Sequence, residues 1–223
     1  MMFDHAESTA KNIKTFWFKP EDRHPKHIAG QYTQIHLSHE KVDQRGDKRW
    51  FTISSSPTDD MVSITTKFAS ENGSSFKKAL SSLKPGATLN LADPMGDFVL
   101  PKDKTIPLLF IAGGIGITPF HSIVKWLSDT SEKRKIHLVY AVNEPEELAF
   151  QDLFVKYGLE FTPVVGRRLT TQNILSYAKK LPGCLIFISG PEPMTETFVD
   201  ELQEKGVSNS RLVTDYFPGY PSI

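Results

Sequence analysis

The residues with the clearest chemical potential form a glycine-rich turn, which lies between an apolar run and a helix start at residues 107–119. The apolar run 107–111 is typical of an interior parallel strand. A turn without side chains lets the backbone approach a phosphate and adopt positive φ, and its glycines are Gly113, Gly114 and Gly116. We expect Thr118 to cap a helix that begins at Pro119, and such a helix start binds anions. The segment predicts a site for a dinucleotide pyrophosphate, with a tight turn that binds no ligand as the alternative.

A second set of polar and aromatic residues lies on a predicted strand at 49–54. If the strand is regular, Arg49 and Phe51 point to one face, and Trp50 and Thr52 point to the other. An arginine fork can pair with a diphosphate, and a hydroxyl can bond a heteroatom at the edge of a ring. The alternative is an ordinary strand whose arginine is a solvated charge.

Two further turns open predicted helices. The first precedes and begins a helix at 74–83 and consists of Gly73, Ser74 and Ser75. Helix N–H groups and two hydroxyls make an anion cradle, unless the turn is a plain capped helix start. The second follows the apolar strand 184–189 and consists of Ser189, Gly190 and Pro191. We expect it beside the first glycine turn, because ligands bind at the carboxyl edge of open α/β sheets.

Composition removes several classes of protein. Lys plus Arg and Asp plus Glu are both 26, so the net charge gives no argument for a nucleic-acid or anionic-membrane partner. No apolar run approaches the roughly 20 residues that span a bilayer, and residues 1–14 lack the apolar core of a secretory signal. One cysteine, Cys184, excludes an intramolecular disulfide and a thiolate cluster from this chain. We expect a buried Cys184, no metal site and a cytoplasmic protein.

The two halves of the chain have different patterns. Short β-rich segments with turn residues between them predict an antiparallel barrel or sandwich in the first half, interrupted by the one helix at 74–83. The predicted strands are 12–18, 31–37, 49–54, 61–68 and 88–92.

After about residue 102, strands and helices alternate, which predicts a doubly wound parallel sheet with helices on both faces. The strands are 107–111, 135–141, 160–165, 184–189 and 211–214. The helices are 119–128, 145–156, 171–179 and 192–204. We place the boundary in the polar stretch 101–105, so the predicted domains are 1–101 and 102–223.

Taken together, these motifs resemble the ferredoxin reductase-like family of FAD/NAD(P)-binding oxidoreductases, as a compact member without additional modules. The resemblance covers nearly the whole chain. It rests on the order and spacing of six segments, which are 29–32 (AGQY), 49–57 (RWFTISSSP), 73–76 (GSSF), 93–96 (DPMG), 113–119 (GGIGITP) and 189–194 (SGPEPM).

The resemblance implies that the N-terminal barrel binds a flavin. By this analogy Arg49 pairs with its diphosphate, Phe51 lies against the isoalloxazine or ribityl region, and Thr52 bonds near N5, the hydride acceptor. Many relatives have tyrosine and serine at these last two positions. The remaining flavin-site residues implied by the resemblance are Trp50, Thr66, Lys67, Gly73, Ser74 and Ser75. FAD is the usual cofactor of the family, and FMN is the alternative.

The resemblance also implies that the second domain brings nicotinamide against the flavin. The dinucleotide pyrophosphate would lie on Gly113, Gly114, Gly116, Thr118 and Pro119. Ser189, followed by Gly190 and Pro191, would lie near the nicotinamide, where many relatives have cysteine. Arg167 or Arg168 would favour NADPH if it binds the 2′-phosphate. If both are solvated loop arginines, the choice between NADH and NADPH stays undecided.

The C-terminal segment resembles a tail that covers the flavin in compact members of the family. Phe217, or less readily Tyr216 or Tyr220, would stack on the ring, and Asp215 would organise that edge. Packing of an aromatic tail between the two domains is the alternative.

The expected activity is reduction of FAD by NADH or NADPH, followed by electron transfer to a separate acceptor. We expect a separate acceptor, because the chain has no cysteine-rich iron–sulfur module and its 223 residues leave no room for a globin domain or a membrane anchor. Ferredoxin or flavodoxin, an oxygenase partner, or a small oxidant such as a ferric chelate or quinone would serve. The alternatives are reduction of free flavin, a flavin relay subunit that does not use nicotinamide nucleotide, and a flavin-free descendant of the family.

Overall fold

The computed structural model describes residues 1–21, 24–68 and 73–217, and of Phe217 it describes the backbone only. Two antiparallel three-stranded sheets form the first half, in the orders β1-β2-β5 and β4-β3-β6. A bridge between Ile53 and Ile64 joins them. The elements are β1 (Met2–Ala10), β2 (Ile13–Lys19), β3 (Tyr32–His36), β4 (Lys48–Thr52), β5 (Val62–Lys67), α1 (Ser75–Ser81) and β6 (Asn90–Leu91). The predicted antiparallel fold of this half is confirmed.

An aromatic cluster forms the core of these sheets. Phe16 and Phe18 lie on either side of the half-buried Trp17 on β2, and both rings are buried. Phe3 packs against both rings, with centroids 6.2 and 5.8 Å away. Phe76, from α1, closes the cluster. Burial of each such ring contributes about 2–3 kcal/mol, so α1 is held by its apolar face rather than by its seven-residue length.

The second half is a five-stranded parallel sheet, which confirms the predicted type of sheet, and the order of its strands is β11-β10-β7-β8-β9. Its strands are β7 (Leu108–Gly113), β8 (Ile136–Val142), β9 (Glu160–Val165), β10 (Leu185–Pro191) and β11 (Leu212–Phe217). Its helices are α2 (Thr118–Asp129), α3 (Gln151–Tyr157), α4 (Thr171–Lys180) and α5 (Glu192–Glu204). All six residues of β7 are buried, which explains its continuous apolar sequence.

The predicted helix at 145–156 is wrong as a single element. A short 3₁₀ turn covers Pro145–Glu147, and α3 begins only at Gln151. Phe150 lies between them with φ of 64°, in the left-handed region. Its ring stacks on His121 of α2 at a centroid distance of 3.8 Å. This packing compensates the strain of the left-handed backbone.

The two halves share core residues and hydrogen bonds. The Phe98 ring lies 5.4 Å from Phe120 of α2 and 5.1 Å from Phe187 of β10. His121 Nδ1 donates to the Ser54 carbonyl (2.7 Å), and Ser122 Oγ donates to the Ser55 carbonyl (2.7 Å). We call this contact, between α2 and the turn 54–56, the seam. It fixes α2 relative to the end of β4.

The residues that the structure describes contain neither a membrane-spanning helix nor a cluster of metal ligands. Within residues 1–21, 24–68 and 73–217, no helix has the length and apolar character needed to cross a membrane. The same residues contain no group of three or more His, Cys, Asp or Glu side chains that could hold a metal ion. Cys184 is free and buried, as predicted.

Candidate functional site

The glycine turn lies at the carboxyl edge of the parallel sheet. β7 ends at Gly113, a 3₁₀ turn covers Gly114–Ile117, and α2 follows directly. Of the three turn glycines, only Gly114 has positive φ, at 52°. The expected cap is wrong, because Thr118 lies within α2 and its hydroxyl donates to the Ile115 carbonyl (3.1 Å). The 3₁₀ turn runs straight into the helix, so no side chain is needed to start it.

Gly113 and Gly116 have a packing role that the sequence did not reveal. A Cβ on Gly116 would lie 2.6 Å from Gly190 Cα and closer still to the Ser189 carbonyl. A Cβ on Gly113 would lie 2.5 Å from Met194 Sδ. Gly116 therefore allows the turn to pack directly on the end of β10, and Gly113 leaves room for the Met194 side chain from α5. The structure thus brings the glycine turn 113–116 and the turn 189–191 together at one edge of the sheet.

Ser189 and Asp215 are neighbours at this edge. Their Cα atoms are partners in the parallel pairing of β10 and β11. Burial raises the pKa of Asp215 to about 7, while the nearby Ser189 hydroxyl opposes that shift. The two groups are close but not well aligned, since neither Ser189 Oγ nor Asp215 Oδ2 has a hydrogen-bond partner of ordinary geometry within the described residues. Two buried polar atoms thus face an edge where a ligand is expected.

The aromatic candidates follow Asp215. Tyr216 is 51% exposed at the end of β11. The backbone of Phe217 pairs with Pro191, which is itself exposed. Tyr220 lies outside the described residues. Stacking of any of these rings on a flavin stays a prediction.

On the other side of the seam, β4 has the predicted alternation. Arg49 and Phe51 are buried toward the barrel core, whereas Trp50 is 44% exposed and packs edge-on against Tyr32 at 5.5 Å. Arg49 is 4% exposed, and its Nη1 donates to the carbonyls of residues 45, 46 and 48. The alternative of a solvated arginine is therefore wrong. Phe51 packs on Phe76 at 5.8 Å.

Thr52 supplies the test of whether these residues suit a ring with hydrogen-bonding edge atoms. Its side chain is 3% exposed, and its Oγ1 is buried with no hydrogen-bond partner in the described part of the chain. It shares a face of the sheet with Tyr32, its cross-strand partner. An unsatisfied buried hydroxyl costs about 1–3 kcal/mol, so a ligand that bonds it gains that amount. The Thr52 hydroxyl therefore suits a hydrogen bond to a heteroatom at the edge of an aromatic ring.

The turn 73–75 at the start of α1 already forms hydrogen bonds with other groups of the chain. Ser74 caps α1, since its hydroxyl accepts from the Lys77 amide (3.2 Å). The Ser75 amide donates to Asp43 Oδ2 (2.7 Å). A Cβ on Gly73 would meet nothing within 4 Å. Asp43 was not a sequence candidate, because the contact joins residues 32 positions apart and leaves no local signal.

Lys67 and the loop arginines occupy different surroundings. Thr66 is buried on β5, and Lys67 at its end forms an ion pair with Glu147 of the second half. Lys67 holds the pKa of Glu147 below its usual range. Arg167 and Arg168 follow β9 and are both exposed.

These features define a class of protein: an antiparallel barrel with an unsatisfied hydroxyl, packed on a parallel sheet with a glycine turn at its carboxyl edge. The family described as "Oxidoreductase NAD-binding domain" matches residues 110–164. A flavohemoprotein of Bacillus cereus is 32% identical over 135 residues, which are 58% of this chain and 33% of that protein. Flavohemoprotein A of Dictyostelium discoideum is 30% identical over 234 residues, which are 96% of this chain and 59% of that protein.

A solved structure has the same fold along its whole length. It is the flavohem-like FAD/NAD-binding domain of nitric oxide dioxygenase from Vibrio cholerae, with a TM-score of 0.80, 20% identity and 98% coverage of both chains. Residues 110–164 thus match an oxidoreductase NAD-binding domain, and the whole chain has the fold of the FAD/NAD-binding domain from Vibrio cholerae. This chain spans a third to about three fifths of the length of the two flavohemoproteins.

Proposed function

We propose that this chain is an NAD(P)H-dependent, FAD-containing reductase that delivers electrons to a separate acceptor. The observation that carries the proposal is the buried Thr52 hydroxyl without a partner among the described residues, beside the seam. A flavin ring edge is a partner of the right kind, since it presents heteroatoms that donate or accept hydrogen bonds. The match of residues 110–164 to an oxidoreductase NAD-binding domain, and the similarity of the chain to flavohemoproteins, support the same assignment.

The proposal divides the chain at residue 101. Residues 1–101 hold FAD through Arg49, Trp50, Phe51, Thr52, Thr66, Lys67, Gly73, Ser74 and Ser75. Residues 102–223 hold the nucleotide through Gly113, Gly114, Gly116, Thr118, Pro119, Arg167, Arg168, Gly190 and Pro191. Bound FAD supplies the chemistry, accepting a hydride and releasing electrons one or two at a time.

The contribution of the protein is alignment across the seam. The turn that bonds α2 begins two residues after Thr52. The same helix continues from the 3₁₀ turn Gly114–Ile117. The hydroxyl at the flavin side and the glycine turn at the nucleotide side are therefore held at a fixed separation. Fixed separation of two reactants can contribute several kcal/mol to lowering a barrier.

Ser189 and Asp215 form the second part of the proposed active site. With a pKa of about 7, the Asp215 carboxyl holds a proton in a large fraction of molecules at neutral pH. A protonated carboxyl can donate a hydrogen bond at the nicotinamide side, whereas its ionised form cannot. Ser189 lies next to it and is fully buried, which keeps water from this edge. Phe217 follows as the ring that stacks on the flavin.

Partner, nucleotide and compartment are also proposals. A ferredoxin, a flavodoxin, an oxygenase partner or a small oxidant would accept the electrons in the cytoplasm. The exposed Arg167 and Arg168 favour NADPH, because a guanidinium forms charge-assisted bonds to the 2′-phosphate.

The test is an anaerobic absorbance spectrum of the full chain reconstituted with FAD, recorded before and after stoichiometric NADH or NADPH in separate samples. Bleaching of the flavin band by either nucleotide is the expected result, and the faster nucleotide is the preferred one. A bound flavin that neither nucleotide bleaches would refute the reductase and favour a relay subunit.

A pair of variants at Thr52 tests the carrying observation in the same experiment. Thr52→Val removes the hydroxyl with little change of shape, so flavin should remain bound while its reduction slows by about tenfold or more, as for a lost hydrogen bond of about 1.4 kcal/mol. Thr52→Ser keeps the hydroxyl and should stay within a few-fold of the wild type. Equal rates for both variants would contradict the assigned contact.

A further inference from the structure

Two lysines of the first half contact the stretch 144–147, which follows β8 in the second half. Lys11, in the turn between β1 and β2, forms an ion pair with Glu144. Lys67, at the end of β5, forms an ion pair with Glu147. We call these two ion pairs the latch. The seam involves α2 and the turn after β4, so the latch joins different elements of both halves.

Glu147 is the more buried acid of the latch, and its side chain bonds to both halves. The side chain is 10% exposed. Its Oε1 accepts from Lys67 Nζ, and its Oε2 accepts from the Asn143 amide (3.3 Å). The Glu147 carbonyl accepts from the Tyr140 hydroxyl (3.2 Å), so β8 also fixes the backbone at this point. Each carboxylate oxygen therefore holds a different half of the chain.

The two ends of this contact lie at the two sides of the proposed active site. Asn143 directly follows β8, and Ala141 of that strand pairs with Gly113 of the glycine turn. Lys67 lies beside Thr66 on the flavin side, where the proposed function assigns both residues. Glu147 thus connects the nucleotide side to the flavin side through a single side chain.

The relative orientation of the halves depends on polar contacts of this kind. The packing of Phe98 on Phe120 and Phe187 also joins the halves, but apolar contacts are not directional. Hydrogen bonds weaken when their angle changes, so they resist rotation. The seam alone would permit rotation about α2, whereas a second polar contact on other elements opposes it.

The other ion pair of the latch contributes less to this restraint. The side chains of Lys11 and Glu144 are 47% and 51% exposed. Exposed ion pairs are weak because water and salt screen them. A partly buried carboxylate that also accepts from a backbone amide is screened less, and its geometry is better defined. The orientation of the halves therefore depends on Glu147 more than on Glu144.

We propose that Glu147 is a positioning residue for hydride transfer from the nucleotide to the flavin. By binding Lys67 and the Asn143 amide at once, it sets the orientation of the nucleotide side toward the flavin side and touches neither cofactor. This inference rests on the proposed function, which places the two cofactors in the two halves. Loss of the contact slows the transfer step while both cofactors still bind, because transfer depends steeply on alignment.

Glu147→Gln tests the proposal, because glutamine has one acceptor oxygen and cannot accept from both Lys67 and the Asn143 amide. Anaerobic rapid mixing of the FAD-loaded chain with increasing NADH or NADPH gives the limiting rate of flavin reduction and the half-saturating nucleotide concentration. We expect the limiting rate to fall by at least about tenfold. The half-saturating concentration and the FAD affinity should stay within about twofold of the wild type, as for a residue that acts on the transfer step alone.

A second measurement follows the orientation of the halves without flavin or nucleotide. Spin labels on Ser81→Cys at the end of α1 and on Ser176→Cys of α4, both exposed positions, report the distance between the halves by pulsed electron paramagnetic resonance. Cys184 is buried, which protects it from the label. In the labelled chain, Glu147→Gln should broaden or shift the distance distribution.

Glu144→Gln is the matched control, since it removes the same charge from the exposed ion pair of the latch. It should change neither the limiting rate nor the distance distribution. Lys67→Met opens the Glu147 contact from the barrel end and should alter the distance distribution in the same way, which keeps the test available if thermal melts show that Glu147→Gln does not fold. Glu147→Gln should add nothing to the loss of rate caused by Lys67→Met, because both act through one contact.

The outcomes separate the inference from the proposed function. A wild-type limiting rate in the folded Glu147→Gln chain would overturn the inference, as would a slower rate with an unchanged distance distribution. Equal effects of Glu144→Gln, or a raised half-saturating concentration at an unchanged limiting rate, would overturn it too. Failure of either nucleotide to reduce the flavin of the wild-type chain would refute the proposed function and the role in hydride transfer with it. An altered distance distribution in Glu147→Gln would then distinguish that failure from an error about the contact.

Discussion

Replacing Asp215 by asparagine should stabilise the protein above pH 7 and leave it nearly unchanged near pH 4. Burial raises the pKa of Asp215 from 3.8 to about 7, so the folded chain binds this proton more tightly than the unfolded chain. The resulting stabilisation is fully present below pH 3.8. It is lost as the pH rises through 7, because the buried carboxyl must then ionise.

The magnitude follows from the size of the shift. About three pH units at about 1.4 kcal/mol per unit give about 4 kcal/mol as the upper limit, reached above pH 7. Relaxation of the edge around the ionised carboxylate reduces this figure. Asparagine has no proton to lose, so the difference in free energy of unfolding between Asp215→Asn and the wild type should grow from pH 4 to pH 8.

Urea unfolding, followed by tryptophan fluorescence at pH 5, 6, 7 and 8, measures that difference. Histidines whose protonation also affects stability are common to both proteins, so their contributions cancel. Asp200→Asn, an exposed aspartate on α5, is the control for loss of one negative charge. A difference that is independent of pH, or equal to that of the control, would refute the burial argument.

Two further predictions concern the turn and the seam. Gly116→Ala should lower the free energy of unfolding by about 1–3 kcal/mol, because its Cβ meets the Ser189 backbone, whereas Gly114→Ala, with open space at φ 52°, should cost about 1 kcal/mol. Thermal melts check the order, and the reverse order would contradict the packing. His121→Phe should reduce the fall in the free energy of unfolding between pH 6.5 and pH 4. Burial lowers the pKa of His121 to about 4, so the unfolded chain takes up this proton at a higher pH than the folded chain does. This proton uptake destabilises the wild type by up to about 3 kcal/mol at low pH. Urea midpoints at pH 4.5 and 7 measure it, and an unchanged pH slope would count against the seam.

Local pattern predicted most of the second half, because its inner strands β7, β8 and β10 are buried on both faces and therefore appear as apolar runs. The pattern did not reveal β1, Met2–Ala10, whose residues 5–8 are exposed at the edge of the sheet and, apart from Ala6, polar. That strand exists because of its pairing with β2 across a turn in which Asn12 has φ of 59°. Pairing between strands is a non-local property that a polar edge sequence does not announce.

The candidate site likewise has residues that the sequence identifies and contacts that it does not. Thr52, Ser189 and the turn glycines were accessible from residue type and from order along the chain. The contact of Asp43 with Ser75 and that of Lys67 with Glu147 join residues 32 and 80 positions apart, so only the folded chain reveals them. The Thr118 cap failed for a related reason, because a preceding 3₁₀ turn replaced the free helix start that capping requires.

The position of Phe98 limits how this chain can be divided or recombined. Although it precedes the predicted boundary at residue 101, its ring belongs to the core of the parallel-sheet half through Phe120 and Phe187. A chimera joined at residue 101 would take this ring from one parent and its pocket from the other. A junction before Phe98 keeps ring and pocket together, and exchange of the halves then also requires matching partners for the carbonyls of Ser54 and Ser55. The two halves are thus complementary to each other and cannot be exchanged independently between related proteins.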